Sequence, residues 1–153
     1  MIRYISKRLH HDVPSWVSDD AIYHIRVRAR MPGGASLIEK AGILMDSARF
    51  YTERGAWSCY LLLVMPDHLH ALLRFGRNDG MARTVGNWKR YHANRSGLCW
   101  QDGFFDHRIR SHAEFSRSFA YIRNNPVVVG LCAQPDDWPW QISCVKPEGV
   151  PHF

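Results

Sequence analysis

Cysteine is sparse in this 153-residue chain, and its four copies, Cys59, Cys99, Cys132 and Cys144, include no Cys-x-x-Cys pair. That spacing writes neither a disulfide framework nor a paired-thiolate zinc site. The first residues lack the apolar core of a secretory signal, so a reduced, cytoplasmic setting is expected. No apolar run reaches the roughly 20 residues that cross a bilayer, and no membrane partner is expected. Lysine is scarce as well. Only Lys7, Lys40, Lys89 and Lys146 occur among 20 basic residues, and the rest are arginine.

Arginine is what the chain has instead. Against 14 acidic residues the formal net charge is +6, and the pI is near 9.4. A basic balance alone leaves nucleic acid, anionic membrane and plain solubility open, but the planar guanidinium fork suits phosphates and base edges. The length fits one domain over residues 1–153 with a sizeable core, comprising a basic N-terminal arm at 1–20 and a C-terminal tail at 141–153.

The chemistry centres on Val64-Met65-Pro66-Asp67-His68-Leu69-His70-Ala71-Leu72-Leu73. Strand side chains alternate, so His68 and His70 leave the same face while Leu69, Ala71 and Leu73 leave the other. Two neighbouring imidazoles suit a divalent transition metal, or complete the site of an ion held mainly by oxygen. The alternative is two polar residues on a solvated strand. Asp67 reads either as a turn former after Pro66 or as an orienter of an imidazole.

Elsewhere the patterns change period in order. From residue 21 to 29, Ile22, His24, Arg26 and Arg28 alternate with Ala21, Tyr23, Ile25, Val27 and Ala29, a half-buried strand with a basic face. After Met31-Pro32-Gly33-Gly34, Ser36 caps a helix to about Arg54, with Leu37, Ala41, Leu44, Met45, Ala48 and Tyr51 on its core face. Residues 56–65 form an apolar strand buried on both sides, joined to the histidine strand by a tight turn. Residues 81–96 read as a helix carrying Lys89 and Arg90, with Trp88 and Tyr91 either gripping bases or lying in the core. A loop then leads to a strand on which Arg108 and Arg110 share a face.

The last helix starts near Ala113, with Phe115, Ser118, Phe119 and Ile122 as its core stripe and Tyr121 and Asn125 one turn apart on its flank. Pro126 is expected to end or kink it just past Asn125. The order strand, helix, strand, strand, helix, strand, helix predicts an α+β fold: a ferredoxin-like antiparallel sheet with helices packed on one face and one helix added at the C-terminal end.

Three ordered blocks, Met65-Pro66-Asp67-His68-Leu69-His70, Trp100-Gln101-Asp102-Gly103-Phe104-Phe105-Asp106-His107-Arg108-Ile109-Arg110 and Tyr121-Ile122-Arg123-Asn124-Asn125-Pro126-Val127, resemble the REP-associated tyrosine transposases. These are single-tyrosine relatives of the insertion-sequence transposases in the HUH endonuclease class, and the resemblance covers about residues 22–140. It implies that His68, His70 and Asn125 bind a divalent metal, Mg or Mn, and that Tyr121, on the added helix, is the nucleophile. The reaction it implies is nicking and joining of single-stranded palindromic-repeat hairpins through a 5′-phosphotyrosine, without a nucleotide cofactor, by a monomer or homodimer at the nucleoid.

Arg26, Arg28, Lys89, Arg90, Arg108 and Arg110 are the expected DNA contacts. The base that takes the tyrosine proton stays open: His107, a water held by the metal, or another group, with His107 equally readable as a structural residue. Val129 before Gly130 and Gln141-Ile142-Ser143 depart from the family pattern, away from the expected metal and nucleophile.

Two other classes compete. A non-catalytic single-stranded nucleic-acid-binding module of the same fold would use the histidines and Tyr121 as contacts. A structural zinc protein would add Cys59 or Cys99 to His68 and His70.

Overall fold

The computed structural model describes residues 20–76 and 78–143, with the isolated positions 13, 17 and 153. Most of the N-terminal arm and of the C-terminal tail expected from sequence lies outside the described residues. Strands β1 (Ile22–Arg30), β2 (Trp57–Val64), β3 (His68–Phe75), β4 (Cys99–Trp100), β5 (Phe105–Ile109) and β6 (Gln141–Ile142) form one antiparallel sheet ordered β4-β1-β3-β2-β6, with β5 also pairing β1. Helices α1 (Ala41–Glu53), α2 (Gly80–Ser96) and α3 (His112–Val128) complete it. The histidine strand β3 is central, and the expected ferredoxin-like order of long elements is the one observed.

Alternation along β1 and β3 sorts the core into two layers. Tyr23, Ile25, Val27, Leu69, Ala71 and Leu73 pack beneath α1 and α2 with Leu44, Ala48, Val85 and Trp88. Ile22 and Leu72 face the other way, where Phe115 and Ile122 of α3 cover them together with Ile109 and Trp138. Two helices thus share one face, and the added helix takes the opposite one.

Strand β2 is buried on both sides, as its apolar run predicts. It also contains an irregularity that the run does not announce. Cys59 pairs Leu73 but Leu61 pairs Leu72, so one extra residue sits at Tyr60. A bulge resets the alternation. Tyr60 and Leu61 both join the α3 layer, after which Leu62 and Val64 face α1 and α2 while Leu63 and Met65 face α3.

The indole N–H groups inside these layers are matched. The indole N–H of Trp57 donates to the Ala48 carbonyl (3.1 Å), that of Trp138 to Val64 (3.0 Å) and that of Trp100 to Lys89 (2.8 Å). Ser36 accepts from the Ile38 N–H as expected, though the first turn, Leu37–Lys40, is a 3-10 turn before α1 proper. Gly97 at φ 66° closes α2, a left-handed position that a side chain would strain.

Three readings of the sequence differ from what the structure shows. Pro126 neither ends the helix at once nor removes much: α3 continues to Val128, because a proline in the last turn forfeits one hydrogen bond while Leu131 N–H still caps the Pro126 carbonyl at 2.8 Å. The segment assigned to a tail at 141 opens as β6, pairing Leu62 with Ile142. The structural zinc reading fails as well. Cys59 packs in the α1–α2 layer, behind the sheet from the histidines, and among the described residues no three His, Cys, Asp or Glu side chains could hold a metal.

Candidate active site

His68 and His70 leave β3 on the α3 side, their ring centroids 4.9 Å apart. Asp67 settles both of its sequence readings. It sits in the turn, where Met65 N–H donates to the His68 carbonyl (2.7 Å), and its Oδ1 accepts from His68 Nδ1 at 2.7 Å. A carboxylate only accepts, so His68 donates from Nδ1, and Nε2 is the nitrogen left to meet a ligand. The second Asp67 oxygen accepts from Arg28 (3.1 Å). That hydrogen bond from His68 holds the Asp67 carboxyl below its ordinary range, against the cost of partial burial.

His70 is almost fully enclosed, at 2 % exposure. Its Nε2 lies 3.2 Å from the Asn125 amide nitrogen and its Nδ1 lies 2.9 Å from His24 Nε2. An amide N–H donating to Nε2 requires the His70 proton on Nδ1, which then donates to His24. Burial first, then repulsion from His24, His68, Arg26 and Arg28, pushes His70 down to about 3, so the ring is neutral at physiological pH. His24 is pushed down to about 4 by burial, then by Arg26 and His107.

Sequence reasoning missed His24 as part of the site. The signal available in the sequence is its place on the polar face of β1, where alternation alone shows it only as one member of a basic stripe.

Helix α3 brings the rest. Ile122, fully buried, fixes its roll, so Tyr121 and Asn125 look along the sheet towards His70. The Tyr121 ring stands edge-on to His70 at 6.2 Å between centroids and remains 62 % exposed. Ser111 accepts from Glu114 N–H to start the helix, and Glu114 ties β5 to it through the Arg110 N–H and His107 Nε2. His107 therefore has the hydrogen-bonded structural role that was one of its two readings.

The expected DNA contacts separate. Arg26 and Arg28 share the histidine face, and Arg26 is the direct cross-strand partner of His70. Arg108 pairs with Tyr23 and so faces the α1–α2 side, while Arg110 lies past the end of β5. Lys89 and Arg90 are on α2, across the sheet, where the Lys89 ammonium is held by the Gln101 and Gly103 carbonyls (3.0 and 2.7 Å) and Arg90 donates to Asn87. Trp88 belongs to the core and Tyr91 to the surface.

A divalent ion fits the donors present: the Nε2 atoms of His68 and His70 and, with its amide turned over, the Asn125 oxygen.

No family model matches the chain. Its sequence is 33 % identical over 91 residues to the REP-associated tyrosine transposase of Escherichia coli K12, covering 58 % of this chain and 52 % of that protein. A Haemophilus influenzae protein provisionally given the same name is 27 % identical over 106 residues, covering 58 % of this chain and 60 % of the relative. The chain thus spans only about half to three fifths of these curated relatives. Among solved structures, a REP-associated tyrosine transposase bound to a REP hairpin superposes with a TM-score of 0.73 at 21 % identity, covering 86 % of this chain and 82 % of the other.

The fold is that of a REP-associated tyrosine transposase. The three sequence blocks and these comparisons point to the same family name. Among the described residues no helix is long and apolar enough to cross a membrane.

Proposed function

We propose that this chain is itself a REP-associated tyrosine transposase, a metal-dependent endonuclease and strand transferase that acts on single-stranded palindromic-repeat hairpins. The observation that carries the reading is the approach of Tyr121 to His70, 6.2 Å between rings, from segments 51 residues apart in sequence. Similarity to the transposases of E. coli and H. influenzae, and to one solved with a REP hairpin, supports it.

His68 Nε2, His70 Nε2 and the Asn125 oxygen would hold the ion, Mg or Mn, while Asp67 and His24 fix which imidazole nitrogens face it. When bound there, such an ion would supply Lewis-acid polarisation of the phosphate and offset charge that develops on it. Tyr121, open to solvent, gives up its phenolic proton and its oxygen attacks phosphorus in line. An O–P bond to tyrosine forms as the P–O3′ bond breaks, and the departing 3′ oxygen takes up a proton. The phosphodiester energy stays in the phosphotyrosine, so a 3′-hydroxyl attacking in reverse restores DNA without a nucleotide cofactor. Arg26 and Arg28, on the same face, hold the flanking phosphates.

Incubating the protein with palindromic-repeat hairpins from its own genome and Mg²⁺ or Mn²⁺ should yield a covalent adduct on a denaturing gel. Tyr121→Phe should keep hairpin affinity within about threefold and lose the adduct by on the order of 10³-fold or more. A Tyr121→Phe protein that links DNA as wild type does overturns the assignment, and hairpin binding with no adduct from either protein marks a binding module instead.

A further inference from the structure

We infer that Phe105 is a stacking platform for the base of the nucleotide next to the scissile phosphate in single-stranded DNA. The inference rests on the strand-transfer reading above and names where its substrate is gripped.

Phe105 starts β5, on the edge of the sheet, and is 42 % exposed on the histidine face. Cross-strand pairing places it in one row with two residues of the site: Phe105 opposite Arg26, and Arg26 opposite His70. Strands are spaced about 4.8 Å apart, so this row sets the phenyl ring roughly 10 Å from the metal-facing imidazole. A chain whose phosphate lies at His70 and Tyr121 therefore passes over Arg26 and reaches Phe105 with its neighbouring nucleotide.

The ring is also prepared for the task. His24 meets it edge to face at 5.8 Å, which steadies its orientation from the site side. The Arg26 guanidinium lies over the ring at 5.1 Å from its centroid. A planar cation on an exposed phenyl occupies the place a planar base would take. The entering base exchanges with it, and the freed guanidinium turns to the adjoining phosphate. Exposed aromatics on a sheet face, flanked by cations, recognise unpaired bases by this stacking, which tolerates any sequence because every base has a π face. Phe50 and Tyr91, also exposed, lie on α1 and α2 behind the sheet and cannot share this role.

The test scans one abasic nucleotide through the single-stranded flank of a palindromic-repeat hairpin from the organism's own genome, measuring affinity for wild type, Phe105→Leu and Phe105→Tyr. Phe105→Leu should weaken the intact hairpin about tenfold, and Phe105→Tyr should not. At one position beside the cut, removing the base should cost wild type a similar factor and cost Phe105→Leu nothing further. Equal losses in both proteins at every position, or an unweakened Phe105→Leu, overturn the platform while leaving adduct formation to judge the transposase reading. A wild type that binds no hairpin removes both.

Discussion

Both ring nitrogens of His70 are engaged, and one of them depends on a residue 46 positions earlier. Replacing His24 by alanine leaves a buried Nδ1–H without an acceptor and lets the ring change tautomer or turn. Mn²⁺ affinity of the DNA-free protein, read by electron paramagnetic resonance, should fall about 10- to 100-fold in His24→Ala and recover in part with His24→Asn. Unchanged Mn²⁺ binding in His24→Ala would show that His24 merely packs.

At this scale the sequence spoke unevenly. The two-residue period brings His68 and His70 to one face, and the four-residue period brings Tyr121 and Asn125 to one flank; both are local rules. His24 escapes such rules, because alternation tells which face a residue takes but not which residue of another strand stands opposite. The same limit applies to Arg108, whose side of the sheet followed only from its pairing with Tyr23.

Helices α1 and α2 are joined by a side-chain network at the back of the sheet. Ser47 Oγ donates to the Leu44 carbonyl, so it must accept from Trp88 Nε1 (2.9 Å) and from His92 Nε2 (2.6 Å); His92 Nδ1 then accepts from Ser96. His92 is 1 % exposed, and burial pushes it down to about 4.

An unfolded histidine takes its proton near 6.5, so between that pH and about 4 the unfolded chain binds a proton that folded His92 refuses. Stability is therefore fully present above pH 6.5 and declines as pH falls through this window, by on the order of 3 kcal/mol below pH 4. Denaturant melts from pH 7 to 4 should show wild type losing stability relative to His92→Gln, and parallel curves would refute it.

The long elements were legible because each carries a clean period and a stop signal, Gly55 after α1 and Gly97 after α2. The two-residue strands β4 and β6 were not. They are too short to carry any period and exist because tertiary pairing holds them to β1 and β2.

For the whole molecule, the basic charge is divided between two surfaces, with Arg26 and Arg28 beside the histidines and α2 carrying its cations behind the sheet. Composition gave the sum and could not give that division. Hairpin binding should weaken linearly in log–log plots against salt. Arg26→Gln should make the slope less negative by about 0.7, the release expected for one single-strand phosphate. Arg49→Gln, whose side chain is paired with Asp46 on α1, should leave it alone. Equal changes in both variants would mean that overall charge, not the histidine face, governs binding.

The bulge at Tyr60 also limits how this protein can change over time. Insert one residue directly after Leu61, and every core residue from Leu62 to Met65 is handed to the wrong layer, with oily side chains trading places across the sheet's midplane. Surface connections can grow or shrink by several residues without touching either core. The β2 run after the bulge therefore has no room for an added residue, and an alignment of homologues should show insertions clustering in the connections and not between Leu61 and Met65.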